Sequence, residues 1–237
     1  MLFSKTTLIA AALACFSALA AEAHVSIQSP CPRHAPGCQD PPKGEKVDYD
    51  ITTPIGVHGE KHFPICKNAV PQTKRITYKA GQKIKTSYRV GAAHGGGHCQ
   101  WALSYDGGKK WVVFQTLIRD CLRNVPNGGS YSVDVTIPKN APSGKATFMW
   151  LWNNAIGNRE LYSNCVDVTI KGKEGGKIKG VQPLIANYGD SPLIGEFPNA
   201  GDRDGRELFD RRKSITVTVP TTKPKSASKS KSKSKKN

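Results

Sequence analysis

The sequence predicts an all-β protein, an antiparallel β-sandwich like those of immunoglobulin and fibronectin domains, with long loops held by disulfides. Three observations predict this fold class. Apolar and polar residues alternate in several short runs, Gly, Pro and Asn separate those runs, and helical periodicity is almost absent. Strands of this kind each bury one face, and two packed antiparallel sheets bury those faces against one another.

Six runs carry the strand pattern most clearly, and they are Gln82–Val90, Cys99–Tyr105, Trp111–Gln115, Ser130–Ile137, Lys145–Trp152 and Asn164–Ile170. The second and third runs flank Asp106–Lys110, whose two glycines can take the positive φ angles of a hairpin turn. Near the end of the chain, Ser214–Pro220 alternates again and predicts a short terminal strand. We therefore predict a sandwich with one additional strand near the C-terminus.

The first 23 residues have the composition of an export signal. Lys5 precedes an apolar run from Leu8 to Ala21, and Ala21-Glu22-Ala23 matches the small-x-small pattern of a cleavage site. This run is too short to span a membrane, and no later segment is apolar enough to do so. We predict a secreted, extracellular protein whose mature chain begins at His24; a retained N-terminal anchor is the alternative.

The chain divides into four predicted parts. Residues 1–23 form the signal peptide, 24–172 the β-sandwich, 173–220 an extension partly docked on that core, and 221–237 a disordered tail rich in Lys and Ser. About 150 residues is long enough for one sandwich core. Gly172–Lys179 is interpreted as a hinge between core and extension. No oligomerisation signal is present, which predicts a monomer.

The chain is strongly basic. Its formal net charge is +17, and seven of the lysines lie in the tail, which has no acidic residue. No nucleic-acid-binding motif accompanies this charge, so we expect no nucleic-acid partner. An exported basic protein is better matched to anionic wall polymers or phosphate-rich glycans. The tail is thus predicted to anchor the protein to such a polymer, although Lys-Ser runs are also often merely solvated.

Six cysteines remain when Cys15 leaves with the signal. An even number in an exported protein predicts three disulfides, and the spacing does not choose among about fifteen possible pairings. A zinc site is the rival interpretation, but the sequence has no CxxC pair and an oxidising compartment favours disulfides. The segment from Pro32 to Ile65, rich in Pro and Gly, is predicted to be a long ordered excursion held by these bridges.

His24 is the first candidate metal ligand. An N-terminal histidine carries an α-amino group and an imidazole on one residue, so the two nitrogens can close a chelate ring on a metal ion. An α-amine titrates near 7.7–8.0, far below lysine, and therefore releases its proton to a metal at modest cost near neutral pH. The sequence places two of three nitrogen ligands at a chain end, and the third must come from elsewhere in the fold.

Two further stretches carry candidate residues. His94 ends a predicted strand and is followed by three glycines that allow close backbone approach; a lone histidine there would ordinarily be structural. In the last predicted strand, period two places Glu160, Tyr162 and Asn164 on one face, so a carboxylate and a phenol point together. The plainer interpretation is a polar strand face, with Glu160 a surface carboxylate paired with Arg159.

Three motifs in this order resemble those of the fungal lytic polysaccharide monooxygenases, closest to the auxiliary-activity family eleven group that acts on chitin. They are His24 after a signal peptide, Ala92-Ala93-His94-Gly95-Gly96-Gly97 leading to Cys99-Gln100, and Gly157-Asn158-Arg159-Glu160-Leu161-Tyr162-Ser163-Asn164-Cys165. Together they span most of the mature chain, from His24 to about Ile170.

The resemblance implies a histidine brace that binds one copper ion. The α-amino nitrogen and Nδ1 of His24, with Nε2 of His94, would be its nitrogen ligands, and Tyr162 would lie near the axial position. Glu160 would position the oxygen co-substrate or pass protons to it, and Ala92 would restrict access to the axial side. Nitrogen donors in a planar arrangement suit Cu(II), which also heads the affinity order of divalent metals.

The resemblance also implies the function and the disulfide pairing. It implies oxidative cleavage of chitin or a related β-1,4-glycan, using an external electron donor and O2 or H2O2. Paired carboxylates, which hydrolytic glycosidases need, are not required for such a reaction. The implied pairings are Cys66 with Cys165 and Cys99 with Cys121, which leaves Cys31 for Cys38.

Two departures from the family pattern leave the choice of polymer open. The excursion after His24 carries His34, His58 and His62, which could shape a different substrate surface, and the basic tail replaces any recognisable chitin-binding module. Two other functions therefore remain open. One is a copper-binding protein of the same fold that cleaves no glycan, and the other is a polysaccharide-binding wall protein held by its tail.

Overall fold

Two β-sheets pack face to face in the computed structural model, which describes residues 24–219. The predicted signal peptide and the Lys-Ser tail lie outside the described residues. The smaller sheet has the strand order β1-β5-β8 and is formed by β1 (Val25–Ser29), β5 (Lys83–Val90) and β8 (Ser130–Thr136). Neighbouring strands in this sheet are antiparallel.

The larger sheet contains the remaining described strands. They are β2 (Gly56–Val57), β3 (Glu60–Lys61), β4 (Ile76–Lys79), β6 (Gly97–Ser104), β7 (Val112–Cys121), β9 (Gly144–Asn154), β10 (Glu160–Lys171), β11 (Lys177–Val181) and β12 (Ser214–Thr218). Their order is β12-β11-β7-β6-β9-β10-β2-β3, and β4 pairs with β10 in parallel. One short helix, α1 (Arg206–Asp210), precedes β12.

The predicted fold class is confirmed, and the six predicted runs correspond to β5 through β10. Two of these strands extend at least four residues beyond the prediction: β7 continues to Cys121, and β10 begins at Glu160, four residues before the predicted start. The terminal strand is also present as β12. The strands that the pattern did not predict are β1, β4, β11 and the two-residue β2 and β3.

Large aromatic side chains fill the space between the two sheets. Trp101, Trp150 and Trp152 are fully buried there, and the Trp150 and Trp152 rings stack with centroids 6.4 Å apart. Tyr88 of the smaller sheet contacts Trp150 at 4.9 Å between ring centroids and accepts a hydrogen bond from Trp101 Nε1 at 2.9 Å. Buried aromatic area of this size dominates the energetics of a core, and it fixes the two sheets relative to each other.

Residues 24–219 contain three disulfides, with the pairing that the family resemblance implied. They join Cys31 to Cys38, Cys66 to Cys165 and Cys99 to Cys121. A buried ion pair adds a further constraint, because the Arg33 guanidinium donates from Nε and Nη2 to the two carboxylate oxygens of Asp167, each at 2.8 Å. Bidentate pairs of this kind fix geometry strongly, and here the pair holds the loop after β1 against β10.

The chain beyond Gly172 shares the larger sheet. Residues 177–179, interpreted from the sequence as part of a hinge, belong instead to β11, which pairs with β12 and meets β7 at Val113. The interpretation was wrong because glycines and lysines near the start of the segment obscured the pattern of a strand of five residues. Within residues 24–219, no helix is long and apolar enough to cross a membrane.

Residues 182–212, which we call the C-terminal strap, lie across one end of the larger sheet. The backbone of Leu184 exchanges two hydrogen bonds with the Gln100 side chain, at 2.8 and 2.9 Å. Phe197 and Phe209 are buried in an apolar cluster with Ala155, and His98 stacks on Phe197 with centroids 4.6 Å apart. These contacts bring the strap against the loop that follows β9.

The neutral imidazole of His98 connects β6 to the strap. Its Nε2 donates to the Asp204 carbonyl at 2.9 Å, and its Nδ1 accepts from the Arg119 N–H at 3.0 Å. Burial lowers the pKa of His98 to about 4. Because Nδ1 serves as an acceptor, protonation of the ring would also break the hydrogen bond from Arg119.

We therefore predict that His98 makes stability depend on pH in a defined interval. The unfolded chain protonates this histidine near pH 6.5 and the folded chain near 4, so the unfolded state binds more protons between these values. The free energy of unfolding of the metal-free protein should fall by about 3 kcal/mol from this group as pH drops through that window. Urea unfolding at several pH values should show a weaker pH dependence in His98→Gln; equal pH dependence in both proteins would contradict the assignment.

Candidate metal centre

The pairing of β1 with β5 determines where His24 lies. Val25 pairs with Val90, and one residue further along, the His24 carbonyl accepts a hydrogen bond from the Gly91 N–H at 2.6 Å. Three residues after Gly91 the chain reaches His94. The first residue of the predicted mature chain therefore lies beside the loop that carries the second candidate ligand.

Left-handed backbone defines the loop from His94 to Gly97. The φ angles are 48° at His94, 69° at Gly95, 96° at Gly96 and 153° at Gly97. A Cβ on Gly97 would lie 2.0 Å from the Asn153 carbonyl oxygen, so only glycine fits there. The sequence prediction of close backbone approach is thus confirmed, whereas the left-handed conformation of His94, costly for a non-glycine residue, was not predicted.

The backbone of Ile156 fixes His94 through two hydrogen bonds. The Ile156 N–H donates to the His94 carbonyl at 3.0 Å, and His94 Nδ1 lies 2.7 Å from the Ile156 carbonyl oxygen. A carbonyl oxygen can only accept, so Nδ1 carries the proton in the neutral ring and Nε2 keeps its lone pair. Nε2 is buried and has no hydrogen-bond partner.

Glu160 and Tyr162 point to the same face of β10, as the period of two predicted. The Tyr162 hydroxyl donates to Glu160 Oε2 at 2.8 Å, and the same oxygen lies 3.9 Å from His94 Nε2. Glu160 is only 5% exposed, so the plainer interpretation of it as a surface carboxylate is wrong. The Arg159 guanidinium instead donates to backbone carbonyls, including those of Asn154 and Gly157.

Burial keeps the Tyr162 phenol protonated. Desolvation, followed by the charge of Glu160 and their hydrogen bond, raises the pKa of Tyr162 far above its ordinary value. The phenol is 1% exposed, and its ring packs on Trp152 with centroids 4.7 Å apart. Tyr162 therefore serves as a hydrogen-bond donor to Glu160 and presents a neutral oxygen to the site.

Ala92 lies in the short connection between Gly91 and His94. It is 6% exposed, and its neighbour Ala93 accepts a hydrogen bond from the Gly96 N–H at 2.8 Å. The role of Ala92 in restricting the axial side remains a prediction.

The nitrogen donors of His24 and His94 fit a metal site that uses only two side chains. Among residues 24–219 there is no group of three or more His, Cys, Asp or Glu side chains arranged to hold a metal ion. A brace requires only two imidazoles, because its third nitrogen is the α-amine of the first residue. The buried Nε2 of His94, unpaired in hydrogen bonding and aimed by a fixed Nδ1–H, is the kind of nitrogen that metal-binding histidines present.

A cavity of about 610 Å³ opens next to His24. The Cys31–Cys38 loop, Tyr49, Arg89 and Asn127 line it, together with the backbone around Thr52. Tyr49 is 79% exposed, which is unusual for an aromatic side chain of this size. The side of the site formed by the excursion is thus concave and carries one exposed aromatic ring.

Sequence reasoning missed two residues that complete the site, Asn154 and Trp152. The side-chain amide of Asn154 donates to the Ile156 carbonyl at 3.1 Å and to Glu160 Oε2 at 3.3 Å, so it connects the two groups that surround His94. Trp152 places its ring 6.3 Å from that of His94. The only available signal was the Asn153-Asn154 pair at the end of a predicted strand, which does not reveal its partners.

We predict that Gly157→Ala disturbs the site through direct contact with His94. A Cβ at Gly157, where φ is 89°, would lie 2.8 Å from His94 Nδ1. Loss of the partners that orient a metal-binding histidine lowers metal affinity by at least about tenfold. We therefore expect the variant to bind Cu(II) about tenfold more weakly, as measured by a chelator-competition titration.

Gly59→Ala is the matched control for this variant. Gly59 has a φ of 91°, and nothing lies within 4 Å of its added Cβ. Both variants should lose about 1 kcal/mol of stability because of the positive φ. An equal loss of copper affinity in the two variants would show that backbone strain, rather than contact with His94, is the cause.

Comparison with known proteins identifies the family to which this sequence is related. A family model described as lytic polysaccharide mono-oxygenase, cellulose-degrading, matches residues 24–168. AA11 family lytic polysaccharide monooxygenase A of Aspergillus fumigatus is 37% identical over 177 residues, which cover 72% of this chain and 77% of that protein.

Two longer relatives are 33% identical. They are AA11 family lytic polysaccharide monooxygenase B of Aspergillus fumigatus, with 72% of this chain and 41% of that protein aligned, and an AA11 family lytic polysaccharide monooxygenase of Aspergillus oryzae, with 79% and 45% aligned. This chain spans less than half the length of either. Because the family model covers more than half of the chain and a relative of similar length is 37% identical, the chain belongs to the lytic polysaccharide monooxygenases, copper-dependent oxidoreductases, and is similar to their fungal AA11 group.

Proposed function

We propose that this protein is a secreted copper-dependent monooxygenase that oxidatively cleaves chitin or a related β-1,4-glycan. The observation that carries the proposal is the state of His94. Its Nδ1–H is held by the Ile156 carbonyl, and its buried Nε2 has a lone pair and no hydrogen-bond partner. His24 lies beside the same loop, attached to Gly91 through its carbonyl.

One copper ion would be held by the α-amino nitrogen and Nδ1 of His24 and by Nε2 of His94. This ligand set requires cleavage after Ala23, because only a first residue has an α-amine, and so the copper proposal and the secretion proposal stand together. Copper in such a site supplies one-electron chemistry with an external electron donor and O2 or H2O2. Three nitrogen ligands leave further coordination positions open, which a catalytic site needs.

Glu160 would transfer protons at the site, and Tyr162 would hold Glu160 in position. Glu160 Oε2 accepts from the Tyr162 hydroxyl and the Asn154 amide and is 3.9 Å from His94 Nε2. A buried carboxylate held in this way can receive or return a proton next to the reacting oxygen species. Tyr162 stays protonated, so it orients the carboxylate. The proposed role of Ala92 is to restrict access to the axial side of the copper that the brace would hold.

Similarity to AA11 relatives supports chitin as the first substrate to test. The matched family model is described as cellulose-degrading, which makes cellulose the second. Both are β-1,4-linked polymers. Conversion of a C–H group beside the glycosidic bond to C–OH, with the oxygen atom from H2O2 or from O2 and two donor electrons, would let either chain break by elimination. In either case the exposed ring of Tyr49, beside the cavity next to His24, offers a surface on which a sugar ring can stack.

The basic residues 221–237 are proposed to bind an anionic wall polymer. Their seven lysines carry no compensating acid, so binding should weaken as salt rises. This role is separate from the copper site, since the catalytic proposal rests only on residues between His24 and Tyr162.

We predict that Glu160→Gln separates catalysis from copper binding. The mature protein, loaded with copper and given a reductant and H2O2, should release oxidised oligosaccharides from chitin. Glu160→Gln should retain copper but release them about 100-fold more slowly, because proton transfer by a positioned group contributes this much. Mass spectrometry of the soluble products measures the rate, with exposed Glu174→Gln as the matched control.

His94→Ala provides the copper-free comparison. It should release no oxidised product and bind no copper at the brace. If the wild-type protein binds copper yet oxidises neither chitin, cellulose nor another β-1,4-glycan, the enzymatic proposal is wrong and the non-catalytic copper-binding alternative stands.

A further inference from the structure

The C-terminal strap reaches the metal centre through a single carboxylate. The Gly157 N–H donates to Glu196 Oε1 at 2.6 Å, the short distance expected for a charge-assisted hydrogen bond. Glu196 belongs to the strap, beyond residues 24–168 that match the family model. Its side chain is exposed.

The Gly157 N–H and the Ile156 carbonyl belong to the same peptide group. On one side of this peptide Glu196 accepts the N–H hydrogen, and on the other side the carbonyl oxygen accepts the Nδ1 proton of His94 at 2.7 Å. Hydrogen bonds in series polarise one another, so a carboxylate on the N–H makes the carbonyl a stronger acceptor. A stronger acceptor on Nδ1–H in turn makes Nε2 a more basic ligand.

We propose that Glu196 is a positioning residue for the copper site, acting on His94 through the Ile156–Gly157 peptide group. The arrangement corresponds to the carboxylate–histidine–metal chains of many metalloproteins, with one peptide group inserted between carboxylate and imidazole. The proposal rests on the function proposed above, since it concerns a histidine that binds copper.

The surrounding strap holds Glu196 in place without relying on its own hydrogen bond. On one side the Phe197 N–H donates to the Ala155 carbonyl at 3.0 Å, and the Phe197 ring is buried against His98. On the other side Arg159 Nη1 donates to the Gly195 carbonyl at 3.3 Å. Contacts on both neighbours pre-organise the carboxylate, which lowers the entropic cost of its bond to Gly157.

The size of residue 157 supports the same assignment. Gly157 has a φ of 89°, and a Cβ there would lie 2.8 Å from His94 Nδ1. Glycine therefore lets the peptide pass close under the imidazole while its N–H faces the strap. The peptide group is confined between His94 and Glu196, as a relay between them requires.

Glu196→Ala and Glu196→Gln test the proposal in two measurements. In the metal-free mature protein, ¹⁵N NMR of the His94 imidazole reports the strength of the Nδ1–H hydrogen bond. Its Nδ1 proton should move upfield in Glu196→Ala and less in Glu196→Gln, which keeps an acceptor but loses the charge. By chelator competition, Cu(II) affinity should fall about tenfold in Glu196→Ala and by a smaller factor in Glu196→Gln.

Phe209→Leu distinguishes relay from simple attachment of the strap, because Phe209 is buried in the apolar cluster of the strap and is not a neighbour of Glu196. This variant loosens the apolar contact of the strap and leaves Glu196 unchanged, so it should lower Tm while the His94 NMR signal stays in place. Glu196→Ala should shift the His94 NMR signal while its Tm stays close to that of the wild-type protein. Glu196 is not a positioning residue if Glu196→Ala leaves the His94 signal and the Cu(II) affinity unchanged. The same conclusion follows if Glu196→Ala and Phe209→Leu change both quantities in proportion to their loss of Tm.

The two proposals fail in different ways. A wild-type protein that binds no copper at His24 and His94 would refute the proposed function, whereas the NMR comparison of metal-free variants would still report whether Glu196 acts on His94. Normal copper binding in wild type and in both Glu196 variants would refute only the relay.

Discussion

The hydrogen bonds between His94 and Ile156 are the contact on which the site depends. They hold a histidine in a left-handed conformation that is costly on its own, and they fix which nitrogen carries the proton. Without them the imidazole would be free to rotate or to change tautomer, and Nε2 would no longer be presented with its lone pair. Glu160, Tyr162 and Trp152 lie around this oriented imidazole ring.

The fold supplies that contact from segments far apart in sequence. β1 and β5 bring His24 beside Gly91, and the end of β9 turns so that Ile156 meets His94. β10 then returns from the same turn with Glu160 and Tyr162 on its inner face. The disulfides of Cys99 and Cys165 attach β6 and β10 to neighbouring segments, so the strands that border the site are each fixed covalently. A site assembled in this way depends on the rigidity of the sandwich.

Much of this architecture follows from local sequence pattern, and the rest does not. Alternating residues predicted β5 through β10, and period two predicted the shared face of Glu160 and Tyr162, because both depend only on neighbours along the chain. β4 and β11 were missed because they are short and lie against strands distant in sequence. Glu196 was missed because its partner, the Gly157 N–H, is 39 residues away in sequence, and an exposed loop carboxylate gives no signal of such a contact. Asn154 was missed because its contacts with Ile156 and Glu160 depend on how the turn after β9 folds. The left-handed His94 was likewise invisible, since non-glycine residues rarely take that conformation.

The central claim is that His24 binds copper with its own α-amine, and adding one residue tests this most directly. The chain starting at His24 and the same chain preceded by a single glycine should be compared by EPR after loading with one equivalent of Cu(II). The account predicts an axial spectrum with nitrogen couplings from the brace in the first protein and its loss in the second, because the amine has moved away from the imidazole. Identical spectra would show that the α-amine is not a ligand and would contradict the account.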